Sequence, residues 1–175
     1  DVTDINGETR SSSGVVNVGY VSMTMNVDIG SQVRKESGLS FTINTANLNG
    51  TFEPAKGTIV INRLKTPEKL LRKRMWNDPD TSVMSKDQHE SLFPDDLYNK
   101  DDDITKWTKE TEVFRSGFDT QKDKILNLAK AQNWKSGVYV LEAETEDQTG
   151  KKVKDIRYFT LYSEKEKTLP YQMAD

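Results

Sequence analysis

Few side chains in this sequence have the types and spacing that catalysis or zinc binding requires. His89 is the only histidine, and it falls on a predicted helix beside Glu90. A catalytic base needs a nucleophile within hydrogen-bonding reach, and a zinc site needs several nitrogen or sulfur ligands. The sequence places neither beside His89. We therefore favour a surface histidine over a catalytic or metal-bound one.

An acidic stretch follows this predicted helix and raises the question of calcium, which binds clusters of carboxylate oxygens. The stretch lacks the central glycine and the closing acid of an EF-hand loop, so a solvated acidic loop is favoured. Paired carboxylates for glycoside cleavage remain open, because nothing singles out two of the 28 acids. The aspartates concerned are Asp95, Asp96, Asp101, Asp102 and Asp103.

Aromatic side chains offer one further possibility, a platform on which sugar rings could stack. Its members would be Trp76, Trp107 and Trp134 together with Tyr98. Tryptophans more often anchor packing, and we favour that role here. No glycine-rich phosphate loop and no serine nucleophile elbow is present in the sequence. We predict no catalytic, cofactor-binding or metal-binding residues and expect a module that is not an enzyme.

Composition sets the frame that would have to position any site. The 175 residues suit one main domain with a modest core beneath a heavily charged surface. The net charge of −3 argues against nucleic acid as a partner, and the basic run 71–74 is too short to reverse this. No apolar run is long enough to insert into a membrane. The absence of cysteine excludes disulfides and thiol chemistry within this chain.

Alternation of apolar and polar residues predicts a fold made mainly of β-strands. The first alternating segment changes phase after Gly19-Tyr20, which indicates two strands or one strand with a bulge. Residues 44–50 are predicted to be a turn. The segment 125–128 is compatible with either a strand or a helix. The predicted strands fall within 15–28, 39–43, 58–64, 112–118, 137–145 and 154–162.

Residues 65–109 have a different character and are predicted to form one long insertion between two strands. Such a long excursion usually has structure or function of its own. A helix start is predicted at Thr66-Pro67, and a capping box predicts another at Ser85. We expect Leu92 and Phe93 to pack this second helix onto the sheet, and Pro94 to end it.

Two turns share the pattern Asp-x-x-Gly, in which the aspartate caps the turn and the glycine takes a positive φ. One is Asp4 with Gly7, and the other is Asp147 with Gly150. The repetition indicates that 1–15 is a linker or the end of a similar preceding domain. We expect one β-sandwich domain over 16–163, a linker to a next domain over 164–175, and an array of such domains in a longer protein.

Several segments together resemble a macroglobulin domain, and more closely an internal domain of the large bacterial alpha-2-macroglobulin-like proteins. The resemblance runs from the first turn to the last predicted strand. Its most specific parts lie inside the insertion. The segments are Thr3-Asp4-Ile5-Asn6-Gly7-Glu8-Thr9-Arg10, Arg63-Leu64-Lys65-Thr66-Pro67, Leu92-Phe93-Pro94, residues 137–143 and residues 155–162.

The resemblance implies an antiparallel immunoglobulin- or fibronectin-like sandwich of about seven strands, repeated along an extracytoplasmic chain. Members of the family trap proteases after cleavage of a bait segment, so the implied partners are target proteases and neighbouring domains. The implied location is periplasmic or at the cell surface, with a lipid anchor in an N-terminal part that this sequence lacks. Without cysteine, this chain cannot carry the family's Cys-x-Glu-Gln thioester.

Two questions stay open at this point. The insertion is charged enough to be cleaved as a bait segment, although a solvated loop is the favoured interpretation. The whole chain also fits a different class of protein, a carbohydrate-binding or adhesive β-sandwich module of a cell-surface protein, and a glycan-active enzyme domain is a weaker third possibility.

Overall fold

The computed structural model describes residues 2–3, 9–10, 21–66, 84–98 and 102–166. These residues form ten strands, one α-helix and three short 3-10 helices. The strands are β1 (Val2–Thr3), β2 (Thr9–Arg10), β3 (Met23–Asp28), β4 (Gln32–Arg34), β5 (Leu39–Asn47), β6 (Lys56–Leu64), β7 (Lys109–Asp119), β8 (Ile125–Leu128), β9 (Gly137–Glu146) and β10 (Lys152–Tyr162). The helix α1 spans Lys86–Leu92, and the 3-10 helices span Lys35–Ser37, Ile104–Lys106 and Ala129–Asn133.

Two sheets make up the body of the fold, which confirms the predicted β-rich class. One sheet has five strands in the order β4-β10-β9-β6-β7, and the other has three in the order β3-β5-β8. All neighbours are antiparallel except β4 and β10, which run parallel. The pair β1 and β2 forms a separate two-stranded ladder.

Strand alternation in the sequence corresponds to burial in the structure. On β3, Met23, Met25 and Val27 are buried and the residues between them are exposed. On β5, Leu39, Phe41 and Ile43 are buried in the same way. A strand turns successive side chains to opposite faces, so one face of the three-stranded sheet is apolar.

The core lies between the two sheets, because one hydrophobic cluster holds residues from both. Tyr139 on β9 is at its centre, with its ring 5.6 Å from that of Trp134 and 5.5 Å from that of Phe159. From the three-stranded sheet the cluster takes Met23, Met25, Val27, Leu39, Phe41 and Ile43, and from the five-stranded sheet Ile59, Ile61, Phe118, Leu141, Ala143, Val153 and Leu161.

The chain passes from one sheet to the other between β3 and β4. After β3 the chain crosses over through residues 29–31, and β4 pairs with β10 in the other sheet. Side chains reinforce the crossing: Asp155 on β10 accepts a hydrogen bond from the Val27 backbone N–H at 2.6 Å. Arg157 bonds both the Asp155 carboxylate and the Asn26 side chain. The two sheets are therefore joined by polar contacts as well as by the core.

The sandwich has two distinct ends. The hairpin end carries the β9–β10 turn. β3 also begins at this end, since Ser22, directly before it, contacts that turn. The insertion end carries the connection between β6 and β7, and β10 ends there beside β4. Since β10 spans 11 residues, the two ends are about 36 Å apart.

Several predicted element bounds are corrected by the structure. Residues 44–47 belong to β5 rather than to a turn, because Asn44 to Asn47 pair with β3. The segment 125–128, open between strand and helix, is the strand β8, since it pairs with Leu39 to Thr42 of β5. The phase change at Gly19-Tyr20 lies outside the described residues.

Candidate functional site

The insertion leaves the sandwich and returns to it at neighbouring points. β6 ends at Leu64, which pairs with Lys109 at the start of β7. The backbone N–H of Lys65 donates to the Thr108 carbonyl at 2.9 Å and extends the ladder. Arg63 Nη1 lies 2.6 Å from Glu110 Oε2 across the same stem. The insertion therefore begins and ends on one antiparallel stem at the insertion end.

The helix α1 begins at the predicted capping box but does not pack on the sheet. The Ser85 side chain accepts from the Gln88 backbone N–H, and the Gln88 side chain accepts from the Ser85 N–H. None of the helix residues is buried. Leu92 is 64% exposed and Phe93 44% exposed, so the expectation that they pack onto the sheet is wrong. The Phe93 ring lies instead beside His89, 5.5 Å away between ring centroids.

Trp107 makes the contact with the sheet that the sequence predicted for Leu92 and Phe93. Leu64, Val138 and Val140 form a second buried cluster, distinct from the core between the sheets. Trp107, at the end of the insertion, and Tyr158 pack against it. Val138 and Val140 alternate with the core residues of β9, so this cluster lies on the outer face of the five-stranded sheet. Trp107 thus covers this face at the insertion end of the sheet.

His89 differs from the predicted surface histidine because it is half-buried. Its ring lies 5.3 Å from the Tyr98 ring as well as beside Phe93. Its Nδ1 atom is buried without a hydrogen-bond partner in the described part of the chain. Tyr98 donates its hydroxyl proton to the Met84 carbonyl at 2.9 Å, which anchors this small aromatic group.

The acidic residues of the insertion that the structure describes do not gather around one point. Asp103 caps the 3-10 helix at Ile104–Lys106, accepting from the Thr105 backbone N–H at 3.1 Å and from its hydroxyl at 2.6 Å. Asp95 and Asp102 are exposed. In the segments that the structure describes, no group of three His, Cys, Asp or Glu side chains could hold a metal ion. Asp101 lies outside those segments.

The two tryptophans that the structure describes do not lie on one surface. Trp134 packs against the core between the sheets and stacks on Tyr139. Trp107 packs on the opposite, outer face of the five-stranded sheet. Trp76 lies outside the described residues. Trp107 and Trp134 therefore serve packing, as the sequence favoured, and together they form no stacking platform.

A five-residue turn recurs in the structure with an Asx residue first and glycine fourth. In the β9–β10 turn, Gly150 has φ 78°, and the Gly150 N–H donates to the Asp147 carbonyl at 2.9 Å. The turn from Asn47 to Thr51 repeats this arrangement: Gly50 has φ 81°, and its N–H donates to the Asn47 carbonyl at 2.9 Å. The sequence predicted a turn over residues 44–50 but not that it shares this arrangement, although the pattern Asn47-x-x-Gly50 was visible.

The pair β1–β2 has the register expected for a third copy of this turn. Thr3 pairs with Thr9, which leaves the five residues 4–8 between them. Glu146 pairs with Lys152 and leaves 147–151 in the same way. Both intervals begin with aspartate and have glycine in fourth place. Residues 4–8 themselves lie outside the described part of the chain.

Asp147 links the hairpin turn to the start of β3. Its Oδ1 accepts from the Thr149 and Lys151 backbone N–H groups at 2.8 and 2.9 Å, and from the Thr149 hydroxyl at 2.7 Å. Its Oδ2 accepts from the Ser22 backbone N–H at 2.9 Å and from the Ser22 hydroxyl at 3.0 Å. The Ser22 N–H bond and the other donors hold the pKa of Asp147 well below its usual range.

The outer face of the five-stranded sheet has a shallow depression nearer the hairpin end, lined among others by Thr58, Val60 and Ile156. Charged residues around it pair with one another. Glu144 lies 2.8 Å from Lys152 and 2.7 Å from Lys154, and hydrogen bonds to these lysines lower the pKa of Glu144 to about 2. The pairing leaves no concentration of one charge at this depression.

Comparison with known proteins gives no match: no family model matches the chain, and neither a curated protein nor a solved structure matches it significantly. Within the described residues, no helix has the length and apolar character needed to cross a membrane.

Proposed function

We propose that the chain is an immunoglobulin-like sandwich of the macroglobulin type, a structural domain of a bacterial alpha-2-macroglobulin-like protein. The parent protein would inhibit endopeptidases by trapping them, in the periplasm or at the cell surface. The domain itself would perform no catalysis. The proposal rests on the sequence resemblance, and the structural observation that supports it most is the strand order of the two sheets.

The strand order fits an immunoglobulin-type sandwich of seven strands when β3 and β4 count as one interrupted strand. In such sandwiches, strands A, B and E share one sheet and C, F and G share the other. The three-stranded sheet has β3, β5 and β8 in the places of A, B and E. The five-stranded sheet has β6, β9 and β10 in the places of C, F and G, with β7 beside β6 where variable-type domains add a strand.

The positions of the first and last strands support an array of such domains. β3 begins at the hairpin end and β10 ends at the insertion end. Domains that the chain enters and leaves at opposite ends can follow one another in a line. The separate β1–β2 ladder, with the register of the β9–β10 turn, fits the closing hairpin of a similar unit.

The proposed mechanism is mechanical. Cleavage of a bait segment elsewhere in the parent would let domains rearrange around the attacking protease. The rigid core and the polar ties between the sheets would keep this domain intact while its contacts with neighbouring domains change. The faces available for such contacts include two exposed apolar residues, Leu92 at the end of α1 and Phe93 directly after it.

Protease trapping has a simple readout in the full-length protein that contains this chain. The protein is incubated with trypsin, chymotrypsin and thermolysin, and residual activity is measured on casein and on a short chromogenic peptide. A small peptide can still reach the active site of a trapped protease, but casein is too large to do so. We therefore expect casein hydrolysis to fall while peptide hydrolysis persists. The proposal would be contradicted if adding the protein changed neither casein hydrolysis nor peptide hydrolysis.

A pair of variants in the full-length protein connects this domain to trapping. Phe41→Ala opens a cavity at a core residue that is 2% exposed. It should reduce trapping in proportion to the fraction of molecules in which the domain is unfolded. Lys122→Ala changes an exposed side chain that no proposed contact uses, and it should leave trapping unchanged. Full trapping by a protein whose domain is unfolded would exclude the mechanical role.

The alternative of a carbohydrate-binding module is tested by titrating the chain with a panel of glycans while tryptophan fluorescence is recorded. We expect no saturable change. Saturable binding of one glycan class would favour the alternative over the macroglobulin assignment.

A further inference from the structure

The segment that follows β10 is held against the sandwich. Its residues Ser163, Glu164 and Glu166 each contact one residue of the short stretch Arg34 to Glu36. That stretch contains the end of β4 and the start of the first 3-10 helix. The sequence predicted a linker beginning at residue 164, so these contacts were not expected.

Two ion pairs and one hydrogen bond connect Arg34 to Glu36 with the segment after β10. Arg34 Nη1 lies 2.5 Å from Glu164 Oε1, and Lys35 Nζ lies 3.2 Å from Glu166 Oε1. The Ser163 hydroxyl donates to Glu36 Oε1 at 2.5 Å. Each cation therefore faces an acid, and the one acid of the stretch faces a hydroxyl donor.

The segment is also turned upon itself. The Lys165 backbone N–H donates to the Ser163 hydroxyl oxygen at 3.2 Å, and the Glu166 N–H donates to the Ser163 carbonyl at 3.2 Å. This turn places Glu164 and Glu166 side by side, where they can reach Arg34 and Lys35 together. The turn and the two ion pairs therefore depend on one another.

We propose that residues 163–166 form an electrostatic strap that fixes the direction in which the chain leaves the sandwich. Isolated exposed ion pairs contribute little, because side-chain entropy and solvent screening offset the attraction. A strap of several mutually dependent contacts loses less entropy for each added contact, so the docked state is populated. Salt screens exposed charges over about 3 Å at 1 M, and the strap is therefore released when ionic strength is high.

The absence of native cysteine allows two spin labels to be placed without other changes. Cysteines are introduced for Gln132 and Lys165, two exposed residues that line one depression beside the strap with Lys35, Glu36 and Ser163. Dipolar broadening of the continuous-wave EPR spectrum detects closely spaced labels. We expect broadening at low salt and its loss in about 1 M NaCl, where the Debye length is about 3 Å.

Charge reversal at one pair tests the cause. In the labelled chain, Glu164→Arg should abolish the broadening because two arginines then face each other. The swap Arg34→Glu with Glu164→Arg should restore it, while Lys122→Glu, a charge reversal at an exposed residue elsewhere, should leave it unchanged. Broadening that persists both in Glu164→Arg and at high salt would overturn the proposal. A lack of broadening at low salt in the labelled chain without further substitution would also overturn it.

Discussion

The carboxylate of Asp147 joins two parts of the chain that are 125 residues apart in sequence. One oxygen closes the β9–β10 turn, and the other holds Ser22 at the start of β3. The local role could be predicted, because aspartate three residues before glycine is typical of such turns. The bond to Ser22 could not be predicted, since nothing near Asp147 in sequence indicates which distant backbone N–H will approach it.

Asp147→Asn tests this double role. An amide has one acceptor oxygen, so either the turn donors or the Ser22 donors lose their partner. We expect the midpoint of thermal unfolding, followed by circular dichroism, to fall by roughly 3 °C or more. Asp28→Asn, at an exposed aspartate on β3, is the matched control and should change the midpoint little.

Measuring the stability of Asp147→Asn and of the unsubstituted chain at acid pH adds a second readout. Because the folded state lowers the pKa of Asp147, its stabilising contribution is present above the ordinary aspartate pKa and is lost as pH falls through lower values. Stability of Asp147→Asn should therefore depend less on acid pH than that of the parent chain. An unchanged acid dependence would show that the carboxylate is not held by these donors.

Tyr139 makes the opposite prediction at alkaline pH. It is fully buried, and its hydroxyl donates to the Lys135 carbonyl at 2.6 Å. Burial raises the pKa of Tyr139 from 10.0 to about 12. Folding favours the neutral phenol, so the stabilisation is fully present below pH 10 and is lost as pH rises towards 12.

Urea unfolding at several pH values measures this effect. The parent chain should lose on the order of 2 kcal/mol of unfolding free energy from this group between pH 10 and 12. Tyr139→Phe should be less stable at neutral pH, because the Lys135 carbonyl loses its donor, but it should lack this part of the alkaline loss. Identical alkaline behaviour of the two proteins would contradict the assignment to Tyr139.

At the scale of elements, the insertion shows which features follow from local sequence. The helix α1 begins at Ser85 as predicted, because a capping box is made by residues three apart. The prediction that Leu92 and Phe93 pack on the sheet fails, since the path of the insertion decides which apolar residue reaches the outer face. Trp107 reaches it because it lies only two residues before β7. Sequence hydrophobicity alone does not distinguish these residues.

Trp107→Ala should therefore destabilise the chain, whereas Leu92→Ala should not. Removing the indole exposes Leu64, Val138 and Val140, at an expected cost of roughly 2 kcal/mol in urea unfolding. Leu92→Ala, at a residue that is 64% exposed, should stay within about 0.5 kcal/mol of the parent. Equal losses for the two variants would contradict the prediction that Trp107, rather than Leu92, holds the insertion on the sheet.

For the whole molecule, alternation in the sequence is sufficient to predict two packed faces but not the order of strands. The crossing at residues 29–31 illustrates why. The stretch Ile29-Gly30-Ser31 has no pattern that separates it from an ordinary turn, yet after it β4 joins β10 in the other sheet. Pairing partners far apart in sequence are chosen by the packed whole, so order and register became visible only in the structure.

The parallel pairing of β4 with β10 has a consequence for mechanical force. Tension applied between residues 21 and 166 would pull β4 towards the hairpin end and β10 towards the insertion end. The pairs Gln32–Thr160, Val33–Leu161 and Arg34–Tyr162 would then be loaded in shear and would have to break together. Tension applied between residues 65 and 108 would instead open the β6–β7 ladder one pair at a time.

Single-molecule pulling with handles at these two pairs of residues should give a higher rupture force for the first geometry. Equal forces would mean that the β4–β10 ladder does not resist the load. If the order holds, the β4–β10 ladder resists tension along the chain, while the β6–β7 ladder at the base of the insertion opens at a much smaller force.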